Sequence, residues 1–169
     1  MMILHMPIVS NTSPILNLSI TGHLYLLPRQ FNKVIIPTEV LTELKPESSY
    51  PGADTIQQAL VDGWLRVITL SNNHLARVLT FELDHGEAAA IALALQLGHD
   101  RILMDERDGR AKAKSLGLVP TGLLGILLRA KLAGQIPSLK NVMQTLRNNA
   151  GFFINPKLFD KLLTEAGER

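Results

Sequence analysis

Four carboxylates and one amide stand where a strand should end or a helix begin. They are Asn11 after "PIVS", Glu43 in "PTEVLTELK", Glu87 in "DHGEAAAIALALQLG", and Asp105 and Asp108 in "RILMDERDG". Carboxylates that converge without an equal number of fixed cations repel one another, and a hard divalent cation with oxygen ligands relieves that repulsion. Magnesium or manganese suits such a set. At a phosphodiester, an ion of this kind orients and activates water and stabilises charge on the phosphate. Each residue also has a plainer role. Glu87 has capping-box spacing from Asp84, and Glu43 fits a solvated helix face or a pair with Lys45. Asp105 fits a cap for the helix that begins near Glu106, and Asn11 fits an Asx-turn before Ser13. Residue type and spacing thus outline an acidic site without choosing between these roles.

The elements that would position these residues alternate between short apolar runs and helical stretches. Strands are expected at 7–9, 33–36, 64–70 and 101–104, with a short fifth in "LVPTG". A first helix over 14–19 takes Ser13 as N-cap and Pro14 as its first residue. Pro37 starts the next, and "KPESSYPGAD" reads as a loop of turn formers. From Ala88 to Leu97 only Gln96 is polar, and a helix apolar nearly all round is buried, with Gly98 closing it. "ERDGRAKAKSLG" is a basic helix, and helices follow over 123–133, 138–149 and 156–166, the last capped by Asn155. Its Leu158, Phe159, Leu162, Leu163 and Ala166 share one apolar face, which must pack within the chain or between two. Strands alternating with helices imply a parallel sheet covered on both sides, with ligands at the carboxyl ends of the strands. By topology, Asn11 and Asp105 then stand on the same rim.

Composition narrows the class. With 169 residues, 46% of them hydrophobic, the chain suits one compact domain over 1–169, with 138–169 a helical C-terminal extension. It has no cysteine, which removes disulfides, thiolate metal sites and cysteine nucleophiles. The start "MMILHMPIVSNTSP" lacks a basic region followed by a small-residue cleavage site, and no run reaches the roughly 18 apolar residues of a spanning helix. We therefore expect a protein of the cytoplasm with no membrane association. Charge is uneven: five Lys+Arg against nine Asp+Glu in residues 1–100, twelve against six in 101–169, which fits a polyanionic partner or ordinary solvated helix faces. No phosphate-binding glycine loop, H-E-x-x-H or G-x-S-x-G occurs. The five histidines, His5, His23, His74, His85 and His99, show no metal-ligand spacing, although His85 lies close to Glu87.

Taken together, "VSNTSPILNLS", "VIIPTEVLTEL", "DHGEAAAIALAL" and "ILMDERDGRAKAKSLGL" resemble the PIN-domain superfamily, in its branch of short prokaryotic proteins related to VapC-type toxins. The resemblance runs from about residue 7 to 167 and includes "GFFINPKLFDKLLTEAGE". It implies a three-layer α/β/α sandwich with a mostly parallel sheet of about four to five strands. It also implies a Mg²⁺- or Mn²⁺-dependent ribonuclease, the toxin of a toxin–antitoxin pair, with RNA as substrate, a cognate antitoxin as partner and a homodimer as assembly. By position, Asn11 falls where the family's first aspartate stands. Glu43, Glu87 and Asp105 match the later acids, Asp108 an additional one, and Ser13 a nearby hydroxyl. On this reading Asn11, Glu43, Glu87, Asp105 and Asp108 hold the metal, and Glu43, Glu87 and Asp105 carry catalysis. Arg107, Arg110 and Lys114, on one helix face at i, i+3, i+7 spacing, meet the phosphate backbone. An asparagine at position 11 brings no charge to a metal. The alternative is a catalytically degenerate module that binds RNA or a protein.

Overall fold

The structure is a computed structural model and describes residues 6–168. Residues 1–5, which include His5 and the beginning of the stretch read for an export signal, lie outside the described residues, as does Arg169.

Five strands form one sheet: β1 (Ile8–Ser10), β2 (Val34–Ile36), β3 (Leu65–Val67), β4 (Arg101–Leu103) and β5 (Val119–Thr121). Their spatial order is β3-β2-β1-β4-β5, and every pairing is parallel. Each connection contains at least one helix, as parallel neighbours require. Between β1 and β2 lie α1 (Thr12–Ile20) and α2 (Leu26–Phe31), and between β2 and β3 lie α3 (Thr38–Leu44) and α4 (Ala53–Asp62). Helices α5 (His74–Leu79) and α6 (His85–Gln96) precede β4, and α7 (Arg107–Ser115) precedes β5. The chain continues through α8 (Leu123–Leu132), α9 (Leu139–Ala150) and α10 (Pro156–Glu165).

Strand alternation divides the interior in two. Ile8, Val34, Ile36, Leu65 and Leu103 face a core shared with α1, α2, α8, α9 and α10. Val9, Ile35 and Ile102 face a second core built largely by α6. Burial of the three central strands, β1, β2 and β4, on both faces is why they read as apolar runs rather than alternating ones. The architecture is the expected α/β/α sandwich. The apolar face of α10 packs within the chain: Leu162, Leu163 and Ala166 join the first core, Phe159 packs partly against it, and Leu158 stays exposed.

Several expected details change. Helix α1 starts at Thr12, with Asn11 rather than Ser13 at the N-cap and Pro14 third rather than first. Asn11 makes no side-chain cap bond, because its side chain is engaged elsewhere. Helices α2, α4 and α5 were not expected, and the first two residues of α4 fall in the segment read as loop. Lys45 does not pair with Glu43; it lies over the Tyr50 ring, 5.5 Å from its centroid. Helix α6 behaves as its composition requires, with every residue from Gly86 to Ala94 buried.

Candidate active site

The site is built where two neighbouring strands end. Ser10 pairs with Leu103, and Asn11 N–H donates to the Leu103 carbonyl at 3.0 Å, so Asn11 and the turn after β4 emerge side by side. Asn11 is 3% exposed, and its amide donates to Glu106 Oε2 at 3.1 Å. Ser13 Oγ donates to the other carboxylate oxygen, Oε1, at 2.6 Å. Glu106 occupies the N-cap of α7 but caps nothing; its side chain reaches back to the start of α1.

Asp105 precedes it and points to β5 and α8. Its Oδ1 accepts from Leu123 N–H, the first residue of α8, at 2.8 Å. Its Oδ2 is buried without a hydrogen-bond partner, as is Asn11 Oδ1. Burial, with help from the Glu106 charge, pushes the Asp105 carboxyl up to about 6, although the Leu123 N–H and Arg110 favour the charged form. Arg110 itself donates to the Met104 carbonyl at 2.9 Å and so braces the turn.

Glu87 enters from the opposite layer. Asp84 and Glu87 form a reciprocal capping box: Glu87 N–H donates to Asp84 Oδ1 at 2.7 Å, and Asp84 N–H donates to Glu87 Oε1 at 3.2 Å. The plainer cap role is therefore present, and the remaining oxygen, Oε2, lies beside Gly109, 3.0 Å from where a Cβ there would sit. Burial of this 5%-exposed residue raises its carboxyl to about 7; the backbone bond from Asp84 opposes, and the charges of Asp84 and Glu106 add to the rise. Glu43, exposed on α3, accepts a hydrogen bond from Thr12 Oγ1 and lies over Gly86, at 2.5 Å from the position a Cβ would take.

Thus Asn11, Ser13 and Glu106 are joined directly, while Asp105 and Glu87 both feel Glu106. Glu43 is held over the start of α6. Asp108, Arg107 and Lys114 are exposed on α7, and their side chains make no hydrogen bond or ion pair among the described residues. Arg110 turns inward instead of sharing their solvent face. His85 is exposed next to Gly86, along a groove of about 420 Å³ that is also lined by Thr38, Glu39, Arg77 and Thr80. Sequence reasoning passed over Thr12 and Glu106. The signal for Glu106 was its adjacency to Asp105: whatever brings residue 105 to the rim beside Asn11 brings its neighbour too.

No group of three or more His, Asp or Glu among the described residues is assembled to hold a metal ion as it stands. The donor chemistry nevertheless fits one. Two buried oxygens, Asn11 Oδ1 and Asp105 Oδ2, lack partners, and unpartnered buried acceptors are costly. Two carboxyls are shifted toward the neutral form, and the nearby donors are all oxygens, as a hard cation prefers.

Fold and site together define an α/β/α module with an acidic site at the carboxyl rim of a parallel sheet. The chain belongs to the PIN-domain family, whose model, described as a PIN domain, matches residues 7–168. No curated protein and no solved structure matches it. PIN domains are generally nucleases and typically depend on divalent metal, which supports a hydrolase of the nuclease kind.

Proposed function

We propose that the protein is a Mg²⁺- or Mn²⁺-dependent ribonuclease, the toxin of a toxin–antitoxin pair, working as a homodimer in the cytoplasm. Its main support is the pair of unpartnered buried oxygens on Asn11 and Asp105, set among carboxylates and beside the inward-turned Arg110. Asn11, Glu43, Glu87 and Asp105 would hold the ion, directly or through water, with Asp108 assisting. When bound, such an ion lowers the pKa of water and stabilises charge on the phosphate under attack. The chain's own residues fix the frame. Thr12 orients Glu43, the capping box fixes Glu87, and Leu123 N–H holds Asp105. Exposed Arg107 and Lys114 offer sequence-independent contacts to an RNA backbone. No helix among the described residues is long and apolar enough to cross a membrane.

A second reading, favoured by the amide at position 11, is a module that binds RNA or a protein without cutting. Incubating the full chain and its Asp105→Asn variant with single-stranded RNA and Mn²⁺, with and without chelator, separates the two. The substitution keeps an acceptor for Leu123 N–H, so circular dichroism should show both folded. Cleavage by the parent, abolished by chelation and by Asp105→Asn, is expected. RNA binding without cleavage would establish the second reading, and cleavage retained by the variant would overturn the site.

A further inference from the structure

The opposite end of the sheet, where the strands begin, gathers positive charge without a matching carboxylate. Arg101, the first residue of β4, is half-buried; its Nη2 donates to Thr121 Oγ1 at 3.2 Å, and its Cζ lies 5.9 Å from the centroid of the ring of Phe31, the last residue of α2. Arg129 of α8, also half-buried, comes to the same end of α2. Its Nε donates to Oε1 of Gln30 at 3.4 Å, and the Gln30 amide is fixed in turn by donating to the Ile126 carbonyl at 2.9 Å. Both guanidiniums thus meet neutral groups, and among the described residues neither forms an ion pair. Arg129 Nη2 is buried with no hydrogen-bond partner. Burial, and then the charge of Arg101, lowers the Arg129 pKa.

Beside Arg101 there is room for a ligand. A cavity of about 230 Å³ is lined by Pro7, Ile8, Phe31, His99, Asp100 and Arg101. His99 Nδ1, like Arg129 Nη2, is buried without a partner, while Asp100 is exposed and pairs with neither arginine. Half-buried cations without a counter-ion are costly, and a planar guanidinium matches phosphate oxygens two at a time. A phosphomonoester carries about −1.5 to −2 at pH 7, which balances two guanidiniums where a single carboxylate would not. We propose that Arg101 and Arg129, with His99, form a phosphate-binding site at the amino rim of the sheet, for a phosphate group that is free or carried by a small organic ligand seated against Pro7, Ile8 and Phe31. The site is separate from the acidic rim and does not rest on the ribonuclease reading. Arginines placed for structure alone would favour the fold, whereas this pair opposes it until an anion arrives.

Thermal melts and calorimetry on the full chain test the site with inorganic phosphate, adenosine monophosphate and adenosine, using the parent, Arg101→Gln and Arg129→Gln. Chelator keeps metal from the acidic rim, and ionic strength is held constant. Inorganic phosphate should raise the parent's melting temperature along a saturating curve, and both variants should weaken its binding by roughly tenfold or more. Without ligand the variants should melt no lower than the parent, because each removes a repulsion. Tighter binding of adenosine monophosphate than of inorganic phosphate, with none of adenosine, supports the site and assigns the cavity to the organic part; binding of inorganic phosphate alone supports it as a site for the free anion. Phosphate also stabilises proteins generally, by exclusion from their surfaces. A rise that does not saturate and is equal in the variants is that general effect and overturns the site, as does phosphate binding that both variants retain. Should Arg101→Gln fail to fold, Arg129→Gln decides: weakened binding supports the site and undiminished binding overturns it.

Discussion

Glu87 shows how a single residue can serve two purposes that conflict. Its capping-box bonds stabilise the start of α6, while its burial opposes ionisation. With its carboxyl raised to about 7 from an unfolded value of 4.5, the folded protein holds a proton that the unfolded chain has released. Its contribution to stability therefore falls as pH rises from about 4.5 to about 7, and the penalty is complete above that. Glu87→Gln keeps the acceptor for Asp84 N–H and removes the charge. We expect it to raise metal-free stability at pH 8 by about 1 to 3 kcal/mol and to do little near pH 4, as denaturant melts at the two pH values would show. The same variant should lose Mn²⁺ binding, so stability and function move in opposite directions. Asp105 follows the same sign over a lower window, from 3.8 to about 6. At this scale the sequence was partly legible. Strand ends fix which backbone positions reach the rim, so Asn11 and Asp105 could be placed together. A side chain that leaves its own helix, as Glu106 does, depends on rotamer and partner and leaves no periodic trace.

Among the elements, α6 was the most legible because its long apolar run allows only burial. Helices α2 and α5 have six residues each, and α2 contains Pro28. Segments this short complete too few turns to display a period, and they are helical because the cores on either side hold them. The start of α6 also explains a glycine. At Gly86 a Cβ would stand 2.5 Å from Glu43 Oε2, so the helix can approach α3 at the site only without a side chain there. Gly86→Ala should displace the Glu43 carboxylate and break its bond from Thr12. The fold should survive, since the obstructing atoms are the tip of a flexible side chain, and alanine favours a helix over glycine by roughly 0.5–1 kcal/mol. We expect an unchanged or slightly higher melting temperature with Mn²⁺ affinity or RNA cleavage reduced about tenfold, comparable to loss of an orienting partner. A lower melting temperature with unchanged Mn²⁺ affinity would show that the close approach matters for packing alone.

On the scale of the whole molecule, charge sums along the chain were a poor guide to spatial arrangement. Lys112, from the basic half, pairs with Glu82, from the acidic half, at 2.5 Å. The C-terminal segment gives a clearer case. We propose that residues 138–169, read from the sequence as an extension, belong to the same folding unit as the sheet. Leu139, Val142, Met143 and Leu146 of α9 and Leu162 and Leu163 of α10 lie in the core that covers one sheet face. The chain's end also secures α9. Glu168 accepts from Leu139 N–H at 2.5 Å, Lys140 N–H at 3.1 Å and Ser138 Oγ at 3.1 Å, placing a carboxylate at the helix's positive end. Burial opposes its ionisation, but these bonds and Lys131, at 3.7 Å, hold its carboxyl below the ordinary range. That stabilisation is present above the unfolded carboxylate pKa and is lost as pH falls through the lower folded value. Removing 156–169 takes away this cap and the burial of two leucines, each worth roughly 1.5–3 kcal/mol, from a fold whose net stability is on the order of 5–15 kcal/mol. The truncated chain should show lost cooperativity in thermal melts and bind a hydrophobic dye. Glu168→Gln should remain folded and lose only the acid-sensitive part. A truncated chain that melts as sharply as the parent would show that the sheet and helices α1 to α9 form a complete domain and that α10 is an attachment to it.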